Sequence, residues 1–122
     1  MNPNEYQAGA HKFATYGDNA MYPALGLAEE AGEVTGKIAK FIRKHDGAEP
    51  CTASSPIPVG KDLTDNEEFI DNLKKELGDV CWMVAELCSV YGMSLEDVMA
   101  ANLKKLEDRK ARGVIVGEGD DR

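Results

Sequence analysis

The chain has 122 residues, 43% hydrophobic and 30% charged, with 22 Asp and Glu against 14 Lys and Arg and a formal net charge of -8. That length suits one domain with a modest core and an inclination to associate, and that charge excludes a polyanion such as nucleic acid held by a general basic surface. No run approaches the roughly 18 apolar residues of a membrane span, and the start, with Pro3, Asn4 and Glu5, lacks the basic and apolar regions of a signal peptide. The expectation is a cytoplasmic protein without membrane contact.

A first short helix is expected from about Asn4 to Tyr16, with Tyr6, Ala10, Phe13 and Ala14 near helical spacing and Gly17-Asp18-Asn19 as the stop. A second should begin near Pro23, a residue suited to a first turn, and run to about His45 with Ala31, Val34, Ile38, Phe41 and Ile42 inward. Gly26, Gly32 and Gly36 interrupt it, and because glycine weakens a helix by up to about 1 kcal/mol relative to alanine, three of them point to close approach by a neighbour or a ligand. From Asp46 to about Thr64 the periodicity fails, and Pro50, Pro56, Pro58 and Gly60 mark an irregular connector. It reads as a solvated insertion, with a lid or subunit packing as the alternatives.

The third helix is the clearest element, from about Asn66 to Tyr91. Leu73, Leu77, Val80, Cys81, Val84, Cys88 and Tyr91 form a stripe at spacings of three and four, widened by Trp82, Met83 and Leu87. Its breadth places the helix centrally or against a second subunit, and Trp82 and Tyr91 read as core. Gly92 ends it, Ser94 caps a fourth helix with Asp97 three residues on, and Leu95, Val98, Met99, Leu103 and Leu106 face inward as far as about Lys110. The tail from Gly113 to Arg122 has neither helical nor strand pattern.

Cys81 and Cys88 stand roughly 10 Å apart along one helix at 1.5 Å per residue, beyond disulfide reach, and read as core. Cys51, in a polar loop, suits a reducing compartment. The isolated cysteines, with His11 and His45 far apart in sequence, make no zinc ligand set.

Chemistry concentrates in two acidic pairs, Glu30-Ala31-Gly32-Glu33 and Glu76-Leu77-Gly78-Asp79, each placing two carboxylates on one helix face. If the two helices pack antiparallel, four carboxylates meet in one small volume. At an effective dielectric of about 20, two like charges roughly 4 Å apart repel by about 4 kcal/mol, so such a cluster must protonate, splay or bind cations. An oxygen-only donor set suits magnesium or manganese. A di-iron bundle would need Glu-x-x-His on two helices, and neither histidine follows a glutamate in that way.

Glu29-Glu30-Ala31-Gly32-Glu33 followed by Glu76-Leu77-Gly78-Asp79 resembles the EExxE and ExxD signature of MazG-like nucleotide pyrophosphohydrolases. The flanking Tyr22-Pro23-Ala24-Leu25-Gly26-Leu27 and Asn102-Leu103-Lys104-Lys105-Leu106 with Arg109 resemble the family too, and the stretch from Arg109 to Arg122 is similar to small bacterial and bacteriophage members. The resemblance covers nearly the whole chain apart from the 46–64 connector, which lengthens the gap between the motifs beyond the usual pattern.

The resemblance implies an all-α, four-helix bundle-like fold of the NTP pyrophosphatase kind, one domain completed by assembly as a homodimer or homotetramer. It also implies magnesium-dependent cleavage of (d)NTP to (d)NMP and pyrophosphate in the cytoplasm, the host's for a phage-encoded member, with manganese as a substitute ion. Glu30, Glu33, Glu76 and Asp79 match the family's metal ligands, and Glu29 matches a further glutamate that holds another ion or orients the attacking water. Since the family often sets its first helix over the nucleobase, Gln7 and Tyr16 are candidates for base recognition.

Asn102, Lys105 and Arg109 lie on one stripe of the fourth helix and can grip phosphate oxygens or a sugar hydroxyl; an equal reading is surface charge paired with Glu96 or Asp108. Arg112 and Arg122 are tail cations placed to close over phosphates. Lys37 and Lys40 read as salt-bridge partners, and Glu86 as either an outer support of the acidic site or its rim. Two alternatives stay open: a phosphoribosyl-ATP pyrophosphatase-like hydrolase, and a helical interaction module without turnover.

Overall fold

The computed structural model describes residues 1–47, 50 and 63–121, with the backbone alone for 63–65. Most of the expected connector, Cys51 included, and the terminal Arg122 lie outside the described residues. Four helices make up the fold, α1 (Pro3–His11), α2 (Met21–Lys44), α3 (Leu63–Val90) and α4 (Leu95–Ala111), with no strand among the described residues. The all-α expectation holds.

The first helix is shorter than its periodicity predicts. At its start Asn2 Oδ1 accepts from the Glu5 amide at 2.8 Å while the Asn2 amide donates to Glu5 Oε2 at 2.9 Å, a reciprocal cap completed by Pro3 in the first turn. The helix stops at His11, and the chain turns so that Tyr16 reaches α3 and Asn19 Oδ1 caps the Met21 amide at 3.1 Å. Phe13, expected inward, is therefore 72% exposed.

The two long helices pack most extensively, and their pairings run in opposite order: Gly26 meets Met83, Glu30 meets Asp79, Lys37 meets Glu76, and Phe41 meets Phe69. They are thus antiparallel. Close approach is set at Gly26, where a Cβ would collide with the buried Met83 thioether. Gly32 and Gly36 face open space, so the close-approach expectation holds at one glycine of the three. At the far end Phe41 and Phe69 meet edge to face with centroids 4.9 Å apart, and His45 stacks on Phe41 at 4.0 Å. There α2 ends with Asp46 at φ 54 and the Gly47 amide donating back to the Ile42 carbonyl at 2.8 Å.

Several residues expected in the core lie outside it. Ala31 and Cys81 are exposed, as are Ile38, Leu77, Tyr91, Val98, Met99, Leu103 and Leu106, while Trp82 is half-buried. On α3 the residues facing α2 include Phe69, Glu76, Asp79 and Met83, so the packed face is rotated by about one residue, roughly 100° at 3.6 residues per turn, from the apolar stripe through Leu77, Val80 and Val84. The fourth helix buries Leu95 against Ala85 and Cys88 of α3, while Val98, Met99, Leu103 and Leu106 of the same helix stay exposed among the described residues. Its start is held by α1. Ser94 Oγ accepts from the Asp97 amide at 3.2 Å, Asn4 Oδ1 takes the Ser94 hydroxyl and the Glu96 amide, and Gln7 Oε1 takes the Leu95 amide at 2.8 Å.

Candidate metal and nucleotide site

Antiparallel packing brings carboxylate oxygens of Glu30, Glu76 and Asp79 within 4.8 Å of one another. The spacing of three puts Glu76 and Asp79 on the α2-facing side of α3, and Glu30 comes up from α2 one turn beyond Gly26, which lies against Met83. All three are half-buried. The Glu30 carboxyl is pushed above its ordinary value of 4.5, first by burial and then by the charges of Asp79, Glu29, Glu76 and Glu33. Lys37 offsets part of this charge, its ammonium lying 3.0 Å from Glu76 Oε1 in a pair largely withdrawn from water. A hard divalent ion with oxygen ligands near 2.0–2.1 Å fits such a donor set, because it replaces mutual repulsion by shared attraction.

The expected ligands separate into two groups. Glu30, Glu76 and Asp79 form the cluster, whereas Glu33 and Glu29 are exposed beside it, near enough to raise the Glu30 carboxyl. Asp79 also lines a cleft of about 590 Å³ between α1 and α3, walled by Tyr6, Ala10 and Phe13 on one side and Gly78 and Trp82 on the other. That volume and its mostly apolar lining fall in the range of small-molecule sites. The buried indole Nε1 of Trp82 has no hydrogen-bond partner among the described residues.

Among the described α4 and tail candidates, the cations pair with carboxylates of α4 and the tail rather than with the cluster. Lys105 reaches Asp120 Oδ1 at 3.4 Å, and Arg109, only 5% exposed, bonds Asp120 Oδ1 at 3.0 Å and the Asp120 carbonyl at 2.8 Å. Arg112 pairs with Asp108 Oδ2 at 2.7 Å, while Asn102 is exposed. The two candidates for base recognition are engaged elsewhere. Gln7 bonds Ser89 near the end of α3 and Met93 and Leu95 at the start of α4, and Tyr16 donates its hydroxyl to Glu86.

Glu86 is the residue that sequence reading left undecided. It is fully buried, and its Oε2 accepts from Tyr16 and sits 3.0 Å from His11 Nδ1. A usable signal was its place seven residues beyond Asp79, the same face of α3 two turns on.

The two longest helices thus join three carboxylates at the edge of an apolar cleft, an arrangement that could hold a hard cation beside a small organic molecule. Relatives of the chain identify the family. Residues 22–114 match the model of the MazG nucleotide pyrophosphohydrolase domain, and the chain belongs to that family. It is 38% identical to the Gene 37 protein of Mycobacterium phage L5 over 130 aligned positions that cover all of both chains. It is also 35% identical over 88 positions to the uncharacterized protein YvdC of Bacillus subtilis (strain 168), covering 68% of each. No solved structure matches.

Proposed function

We propose that this chain hydrolyses nucleoside or deoxynucleoside triphosphates to the monophosphate and pyrophosphate, with magnesium or manganese held by Glu30, Glu76 and Asp79. The observation that carries this reading is the double place of Asp79, which is both a member of the carboxylate cluster and part of the cleft wall. A nucleotide with its base in the cleft would bring its phosphates to the cluster.

The bound ion would supply neutralisation of the triphosphate charge and activation of water. Glu33, exposed one turn along α2 from Glu30, extends the donor set toward solvent, and Glu29 is placed to orient the attacking water or to hold a further ion. Tyr6 and Phe13 on one wall and Trp82 on the other would exclude water from the faces of the base. For Lys105 and Arg109 to bind phosphate they must exchange the Asp120 carboxylate for phosphate oxygens, and Arg112 must likewise leave Asp108; Asn102 needs no such exchange. Arg122 remains a candidate from sequence alone.

The test is a panel of ribo- and deoxynucleotides, phosphoribosyl-ATP included, with magnesium or manganese, resolving monophosphate and pyrophosphate as products. Asp79→Asn and Glu76→Gln should lower turnover by more than the roughly 100-fold that loss of an outer-shell partner costs, with helicity retained. Turnover unchanged in either variant would rule out the site, and absence of both ion binding and product in the parent chain would leave the interaction-module reading.

A further inference from the structure

The seat of α1 is set by polar ties together with the partly buried Tyr6, which packs against the core of Ala85, Cys88 and Leu95. None of its residues is fully buried, yet Tyr6 and Ala10 supply one wall of the cleft whose other wall carries Asp79 and Trp82. At its start Asn4 and Gln7 bond the beginning of α4. At its far end the tie is Glu86. Its Oε2 receives the Tyr16 hydroxyl and lies 3.0 Å from His11 Nδ1, while Tyr16 stacks on Tyr22 at the start of α2 with centroids 5.0 Å apart. One buried oxygen therefore joins the end of α1, the turn after it and the start of α2 to α3. The Tyr16 hydroxyl is pushed up to about 12, first by burial and then by its hydrogen bond to Glu86, so it remains a donor at neutral pH.

Stability alone explains this arrangement poorly. The other oxygen, Glu86 Oε1, is buried without a hydrogen-bond partner among the described residues, and an unmet buried polar atom is destabilising. Replacing a buried polar group and its partners by apolar groups of the same shape is often neutral or stabilising. Leucine would fill the position without that cost, but it would accept nothing from Tyr16 or His11.

We propose that Glu86 is a positioning residue for nucleotide binding: its buried carboxylate draws Tyr16 and His11 onto α3 and so fixes the α1 wall of the cleft beside Asp79 and Trp82. This rests on the proposed nucleotide site for its kinetic consequence only. The ligand cluster lies on α2 and α3 with no member on α1, so the clamp is expected to act on the organic part of the substrate rather than on the ion.

The experiment uses the full chain with Glu86→Leu, Glu86→Gln and Tyr16→Phe, and the lone tryptophan, Trp82, as reporter. In Glu86→Leu the Trp82 emission should shift to longer wavelength and α1 amides should exchange faster, with Mn2+ affinity unchanged. For each standard deoxynucleoside triphosphate that the parent chain turns over, KM should rise about tenfold with kcat within about threefold. Glutamine still offers an acceptor, so Glu86→Gln should restore both readouts most of the way. If Glu86→Leu does not fold, Tyr16→Phe carries the test from the partly exposed side of the same bond and should shift emission in the same direction. Parent-like emission and KM in the folded Leu or Phe variants, or a loss of Mn2+ affinity equal to the rise in KM, would overturn the assignment. If the parent chain turns over no nucleotide, the hydrolase reading fails by itself, and emission, exchange and Mn2+ binding still decide whether the clamp holds α1.

Discussion

At the scale of single residues, the three glycines of α2 separate two reasons for glycine in a helix. Gly26 is there for space, since a Cβ would enter the Met83 thioether, whereas Gly36 faces open space and carries only its intrinsic cost. Gly26→Ala is expected to destabilise by about 1–3 kcal/mol through overpacking, and Gly36→Ala to stabilise by about 0.5–1 kcal/mol, both read by urea denaturation. Glu30 is a residue of another kind. Burial and like charges raise its carboxyl, so removing its charge relieves the ion-free fold while deleting a proposed ligand. Glu30→Gln should therefore raise the melting temperature of the chain in EDTA and abolish the further rise that magnesium gives the parent; a magnesium-induced rise kept in full would exclude Glu30 as a ligand.

At the scale of elements, the tail shows what periodicity cannot report. Residues 113–121 form turns and no helix, as expected, but they fold back so that Asp120 meets Arg109 and Lys105. Asp120 is held below its ordinary value of 3.8, first by its hydrogen bond to Arg109, and Asp108 likewise by Arg112. A carboxyl depressed on folding contributes stability that is complete above the ordinary value and is lost as the pH falls through the folded value. The Gly119–Asp121 amide resonances should therefore move as the pH is taken below 3.8, and Asp120→Asn should remove that dependence. In α3, sequence and structure part over the direction of the buried face. The apolar stripe through Leu77 and Val84 looked inward, but Gly26 and Phe41 of α2 dock on the neighbouring face that carries Glu76, Asp79 and Met83. Periodicity gives the width of an apolar face and not which neighbour covers it.

At the scale of the whole molecule, the stripe that α2 leaves uncovered continues in α4, where Met99, Leu103 and Leu106 are 50%, 60% and 39% exposed at spacings of four and three. A contiguous apolar row of this kind is characteristic of an association surface. Sedimentation at micromolar concentration should give a mass above the 13.3 kDa of one chain, and Leu103→Lys should shift it toward the monomer without loss of helicity. Monomeric sedimentation of the parent chain would refute this. Among the described residues no helix is long and apolar enough to cross a membrane.

The sequence by itself determined the four helices, the Ser94 cap, the two acidic pairs and the family, because each is written in local spacing and in side-chain chemistry. It also named three residues that meet, Glu30, Glu76 and Asp79, since the two pairs lie on helices that an all-α domain must pack together. Only the tertiary structure decided that Glu33 stands outside that group, that Arg109 is turned to the tail, and that Glu86 gathers His11 and Tyr16. Those facts depend on the rotation of each helix about its axis and on which chain end reaches it, quantities fixed by close contacts such as Gly26 with Met83 and by buried bonds between distant residues, to which local periodicity is blind.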